Sequence, residues 1–107
     1  MAMQAEERVN LDAICLAAVK RWGPAQLIIL LEELAELQQS LVKYLRYGNQ
    51  YLDDIAEEVA DVQIMLHQLT LMLNLSDRIS EMREEKLKKL KAILDNDHDS
   101  TMGGIHG

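Results

Sequence analysis

Between residues 24 and 74, apolar residues recur every three or four positions on both sides of one short break, "RYGNQ" at 46–50. Leu27, Leu31, Leu34, Leu41 and Leu45 form a stripe before it; Ile55, Val59, Val62, Leu66, Leu69 and Leu73 form another after it. That periodicity is helical, and two helices joined by so short a turn pack antiparallel. In the break, Gly48 is placed to close one helix and Asn49 to cap the next, with Asp53 and Asp54 at its positive start. "RWGP" at 21–24 reads as a helix end at Gly23 and a new first turn at Pro24, and "NLSDR" at 74–78 offers Ser76 as a further cap. The expectation is an all-α chain, a four-helix bundle with helices near 3–22, 24–47, 50–74 and 77–94, with no strand and no repeat.

Such a bundle has an aliphatic core, because the chain holds no Phe and one Trp although 49% of it is hydrophobic. At 107 residues it is a single domain near the lower size for a self-sufficient core. The fourth helix contributes Ile79, Met82, Leu90 and Ile93. The first is apolar on two sides, with Val9, Ala13 and Leu16 opposed to Leu11, Ile14, Ala18 and Trp22. A helix apolar on two sides is covered on both, which predicts a homodimer or a dimer of dimers. The helical domain is expected over 1–95; residues 96–107, rich in Asp and Gly, read as a disordered and dispensable tail.

The same sequence narrows the partners. The longest uninterrupted apolar run near the middle is "LIILL", so no membrane partner is expected. The N-terminus lacks the zones of a signal peptide, and the single cysteine, Cys15, has no internal partner; both point to a reduced, cytoplasmic setting. Eleven Lys and Arg against eighteen Asp and Glu give a net charge of −7, which argues against nucleic acid. Three of those acids, Asp95, Asp97 and Asp99, lie in or beside the tail. The rest are unevenly spread.

Two clusters stand out within the apolar segments: Glu32, Glu33 and Glu36 in "EELAEL", and Glu57, Glu58 and Asp61 in "EEVADV". Glu33 and Glu36 are neighbours on the flank of the second helix, and Glu58 and Asp61 stand likewise on the third, with Asp54 and Met65 extending the line. Glu36 lies about as far before the turn as Asp61 lies after it, so the two pairs meet at one height. Carboxylates so placed repel unless protons or cations intervene. An all-oxygen set without His or Cys suits a hard divalent ion, Mg²⁺ or Mn²⁺. A di-iron site is excluded, since it requires Glu-x-x-His.

At these residues the chain resembles the MazG-like all-α nucleoside triphosphate pyrophosphohydrolases, whose EExxE…ExxD signature is matched by "EELAE" and "EVAD". The likeness spans roughly 22–90 and implies a helical bundle that forms dimers, often paired into tetramers. It implies Mg²⁺-dependent cleavage of a nucleotide between its α- and β-phosphates, giving a monophosphate and pyrophosphate. The metal ligands it implies are Glu33, Glu36, Glu58 and Asp61, with Glu32 serving a second metal or orienting the attacking water.

Either Glu32 or Glu36 is then the acceptor of that water's proton. Lys43, Arg46 and Lys86 are candidates for phosphate contacts, although all three also read as ordinary helix-surface charges. Trp22 and Gln26 precede the first cluster and are candidates for a base pocket, packing being the alternative for Trp22. His67 reads as an ordinary, partly exposed histidine, His98 and His106 as tail residues rather than ligands, and Met65 and Met72 as core. Two other functions fit the same chain: a non-catalytic helical oligomerisation or adaptor module, and a phosphoribosyl-ATP pyrophosphohydrolase of the same superfamily.

Overall fold

The computed structural model describes residues 10–97 and is all-α over them: α1 Leu11–Trp22, α2 Gln26–Tyr47, α3 Leu52–Met72 and α4 Ser76–Asp97, with 3-10 turns at Gly23–Ala25 and Asn49–Tyr51. The start of the first expected helix and the tail from 98 onward lie outside the described residues. The last helix runs through Asp97, two residues past the expected domain edge at 95.

The breaks fall where glycine and asparagine allow them. The Asn10 side chain caps α1 by accepting from the Ala13 N–H at 3.0 Å. Gly23 ends the helix at φ +59, its N–H donating to the Val19 carbonyl. Gly48 ends α2 at φ +91 and donates to the Tyr44 carbonyl at 2.8 Å. A Cβ at Gly48 would meet no atom within 4 Å, so the backbone angle, not space, demands glycine there. Asn49 does not cap α3: it opens the 3-10 turn, and α3 begins uncapped beyond Tyr51, with Asp53 and Asp54 in its first turn as expected. The Tyr47 and Tyr51 rings meet across the turn with centroids 5.9 Å apart. Asn74, at φ +54, closes the far end of α3. The first bond of α4 runs from the Ile79 N–H to the Leu75 carbonyl, which makes Leu75 the capping position and Ser76 the first helical residue.

The described chain divides into two units, one ending at Asn74 and the other starting at Leu75. In the first, α3 packs against both α2 and α1. Its register on α2 is antiparallel and regular. Gln26 meets Gln68, Glu33 meets Asp61 and Glu36 meets Glu58, so each step along α2 is matched by an equal step back along α3. α1 crosses α3 near Ile64–Gln68, where Cys15, fully buried, points its thiol at the Ile64 carbonyl. Asp12 pairs with His67 at 2.5 Å.

The inward faces differ from the expected stripes. On α2 the buried and half-buried positions are Gln26, Leu27, Leu30, Glu33, Leu37, Ser40 and Tyr44, a seam spaced three and four apart. Of the expected stripe only Leu27 takes part; Leu31 is 66% exposed and Leu45 81% exposed, with Leu34 and Leu41 also outside. On α3 the buried positions are Val62, Met65 and Gln68; of the expected stripe, Val62 is buried and Ile55 and Leu69 half-buried, while Val59, Leu66 and, just past the helix, Leu73 face outward. On α2 the flank bearing Glu33 therefore lies inside this unit and most of the apolar stripe lies outside, whereas α3 turns half of its expected stripe inward. Leu11, Ile14, Leu16 and Trp22 of α1 are exposed as well.

The second unit is the helix α4. Ile79, Met82, Leu87 and Leu90 line one groove on it, and Arg83 and Lys86 share that groove. Lys86 thus sits on the apolar side of α4. The stretch Leu11–Tyr47 contains one 18-residue window long and apolar enough to cross a membrane by length and composition. No such segment was expected, because the window is not an uninterrupted apolar run. It includes Lys20, Arg21 and the Gly23–Ala25 break.

Candidate metal centre

Three layers succeed one another along the α2–α3 seam. Gln26 and Gln68 form an amide layer, Leu30 with Val62 and Met65 an apolar one, and Glu33, Glu36, Glu58 and Asp61 an acidic one. Heptad-like spacing places them: Gln26 and Glu33 lie seven residues apart on one face of α2, as do Asp61 and Gln68 on α3. The helix propensity of the intervening Leu, Ala and Glu residues keeps that face continuous.

In the acidic layer, Glu33, Glu36 and Glu58 each offer a carboxylate oxygen, and these oxygens lie within 4.8 Å of one another. Glu33 and Glu58 are half-buried, and each has a buried Oε2 that meets no hydrogen-bond donor. Such orphaned oxygens are uncommon in folded proteins and mark a place where a proton or a cation belongs. Burial is the main cause that pushes the Glu33 carboxyl above the usual range; the charges of Glu36 and Asp61 and the contact with Asp61 add to it. Burial likewise raises Glu58, with the Glu36 charge and contact next, to about 7. Each cross-helix contact sets acceptor against acceptor. A shared proton resolves it, and so does an ion.

Three of the four expected metal ligands thus come together directly, and Asp61 joins them through Glu33. Glu32 is exposed beside the cluster, and its charge acts on Glu33. Lys43 lies two turns beyond Glu36 on an exposed face, and Arg46 sits in the last turn of α2; among the described residues neither is in an ion pair. Trp22 is 56% exposed, so packing within this unit is not its role. It borders an open cavity of about 390 Å³ with Ala25, Gln26 and Ile29, and the Arg21 guanidinium lies 6.0 Å from its ring centroid.

Two features escape the sequence reading. One is Gln68, buried although polar, whose partners come from two other helices. The signal available was its seven-residue spacing from Asp61 on the same line. The other is the Asp12 partner of His67, for which distance along the chain left no signal. Compared with models of known protein families, with curated proteins and with solved structures, the chain shows no significant match to any of them.

Proposed function

We propose that this protein is a Mg²⁺-dependent nucleotide pyrophosphohydrolase, cleaving a nucleoside triphosphate to the monophosphate and pyrophosphate and working as a homodimer or dimer of dimers. One observation carries the reading: three carboxylates from two helices converge within 4.8 Å, with two buried oxygens left without a donor. An all-oxygen set of this kind suits Mg²⁺ or Mn²⁺, which keeps open positions for water and phosphate oxygens. Glu33, Glu36 and Glu58 would hold the ion, with Asp61, which meets Glu33 across the seam, as the fourth acidic group beside it. When bound, the ion would polarise a phosphoryl oxygen and acidify a water. Glu32 or Glu36, the two exposed acids of the cluster, would take that water's proton. The resemblance of "EELAE" and "EVAD" to the MazG-like signature supports the same chemistry.

The outward stripes of α2 and α3 support assembly. Leu31, Leu34, Leu45, Val59, Leu66 and Leu73 are exposed in the single chain, and a second copy of the chain would cover such apolar side chains. The experiment is pyrophosphate release across a panel of ribo- and deoxynucleotides with Mg²⁺, repeated with Glu36→Gln and Glu58→Gln. The expected result is metal-dependent release by wild type and loss in both variants. A wild type that binds neither Mg²⁺ nor Mn²⁺ with nucleotide present would overturn the assignment.

A further inference from the structure

Gln68 is 6% exposed in the interior of α3, and hydrolysis at the acidic layer gives it no task. A buried carboxamide is costly unless its donors and acceptor are engaged, and here the engagement has a direction. The chain of contacts starts at the Ile64 carbonyl, which can only accept. The Cys15 thiol therefore donates to it, with the sulfur 3.8 Å from the oxygen. That leaves the sulfur lone pairs to accept from the Gln68 amide, which contacts them. Gln68 then turns its Oε1 towards Gln26, whose Nε2 donates to it at 2.7 Å. Every link fixes the polarity of the next. If the Gln26 amide rotated by half a turn, its oxygen would face the Gln68 oxygen. Gln26 thus holds one remaining N–H and its Oε1 in a fixed order beside the cavity that it lines with Trp22, Ala25 and Ile29.

We propose that this cavity receives the nucleobase, and that Gln26, locked by Gln68, distinguishes bases with an amino group from those with a keto oxygen at the corresponding position. The inference rests on the nucleotide reading above. Gln26 and Glu33 lie two turns apart on one face of α2, about 10 Å, a separation that the sugar bridges between a base and its phosphates. The exposed Trp22 indole offers the base a face to stack on. A freely rotating carboxamide serves amino and keto edges equally by flipping. A locked one meets one of them donor to donor or acceptor to acceptor, and rejects it. Gln26 is the contact residue, and Gln68 is a positioning residue acting through it.

The test compares kcat/KM for dCTP against dUTP and for dATP against dITP, in wild type, Gln68→Met and Gln26→Met, with a thermal melt of each variant. Wild type should favour one member of each pair by about tenfold or more. Gln68→Met frees the Gln26 amide, so the ratio should fall to within about threefold through KM, with kcat on the preferred base little changed. Gln26→Met, at the mouth of the cavity and at the outer end of the relay, should raise KM for both members and erase the ratio. It decides the matter if Gln68→Met fails to fold. A wild type that hydrolyses all four nucleotides equally overturns this inference and leaves the hydrolase standing, as does an unchanged ratio in either folded variant. A wild type that hydrolyses none overturns both.

Discussion

Magnesium and protons should compete for the same oxygens in the acidic layer, and the competition has a size. With Glu58 raised to about 7, most apo molecules carry a proton there at pH 6 and few do at pH 8. Each metal ion bound at pH 6 must therefore expel close to one proton, which weakens apparent affinity by about tenfold relative to pH 8. The elevated Glu33 carboxyl adds to the effect in the same direction. Calorimetric titration at both pH values, in buffers of different ionisation heat, reads the affinity and the proton count together. At pH 8 and a Mg²⁺ concentration one hundred times the dissociation constant, wild type should gain about 2.7 kcal/mol. For a chain of this size that is a rise in Tm on the order of 10 °C. Glu36→Gln and Asp61→Asn should show little of that rise while their apo forms stay folded or become slightly more stable. Equal affinity at pH 6 and pH 8, with no proton released, would refute the placement of Glu58 in the metal's first contacts.

Other outcomes can be checked directly. In chelator the apo protein should lose stability as pH rises from about 4.5 to about 7, because the folded state keeps the Glu58 proton that the unfolded chain has released; urea midpoints should fall over that window, and Glu58→Gln should flatten the fall. Light scattering at low micromolar concentration should give a dimer or larger species, and Leu31→Glu or Leu45→Glu, on the outward stripe of α2, should shift it towards monomer; a wild-type monomer would sink the assembly reading. Cys15 is sealed from solvent and its thiol is raised by burial, so a thiol reagent at pH 8 should modify it only as fast as the protein opens. Asp12→Asn breaks a pair whose carboxylate is 78% exposed, and should cost under about 1 kcal/mol in urea unfolding.

Helix positions were legible because Gly23, Gly48 and the Asn74–Ser76 region interrupt an otherwise continuous helical pattern. The pairing of the acidic clusters was legible too, since equal distances from one tight turn fix the height at which they meet. The inward face of α2 was not, although Ile55, Val62 and Leu69 of the expected α3 stripe do turn inward. Leu27, Leu31, Leu34, Leu41 and Leu45 mark an apolar stripe, but periodicity says only that such a stripe prefers cover, not which neighbour supplies it. Within this unit α3 meets the flank bearing Glu33 and Leu30, and the stripe itself stays outside. Gln68 was illegible for a related reason: a single glutamine on a helix reads as surface until the crossing of α1 brings Cys15 against it.

The turn between α2 and α3 carries a consequence for how such a chain can vary. Surface turns usually accept insertions and deletions, because added residues bulge into water without disturbing the elements on either side. Here only Gly48 separates α2 from the 3-10 turn Asn49–Tyr51, and that turn leads directly into α3. No slack remains. One residue lost would have to be made up from α3, shifting it by about 1.5 Å and rotating it by about 100°, and carrying Glu58 away from Glu36 and Gln68 away from Gln26 together. A short exposed connection is thereby as strictly metered as the core it joins, in its length as well as in the glycine that turns it.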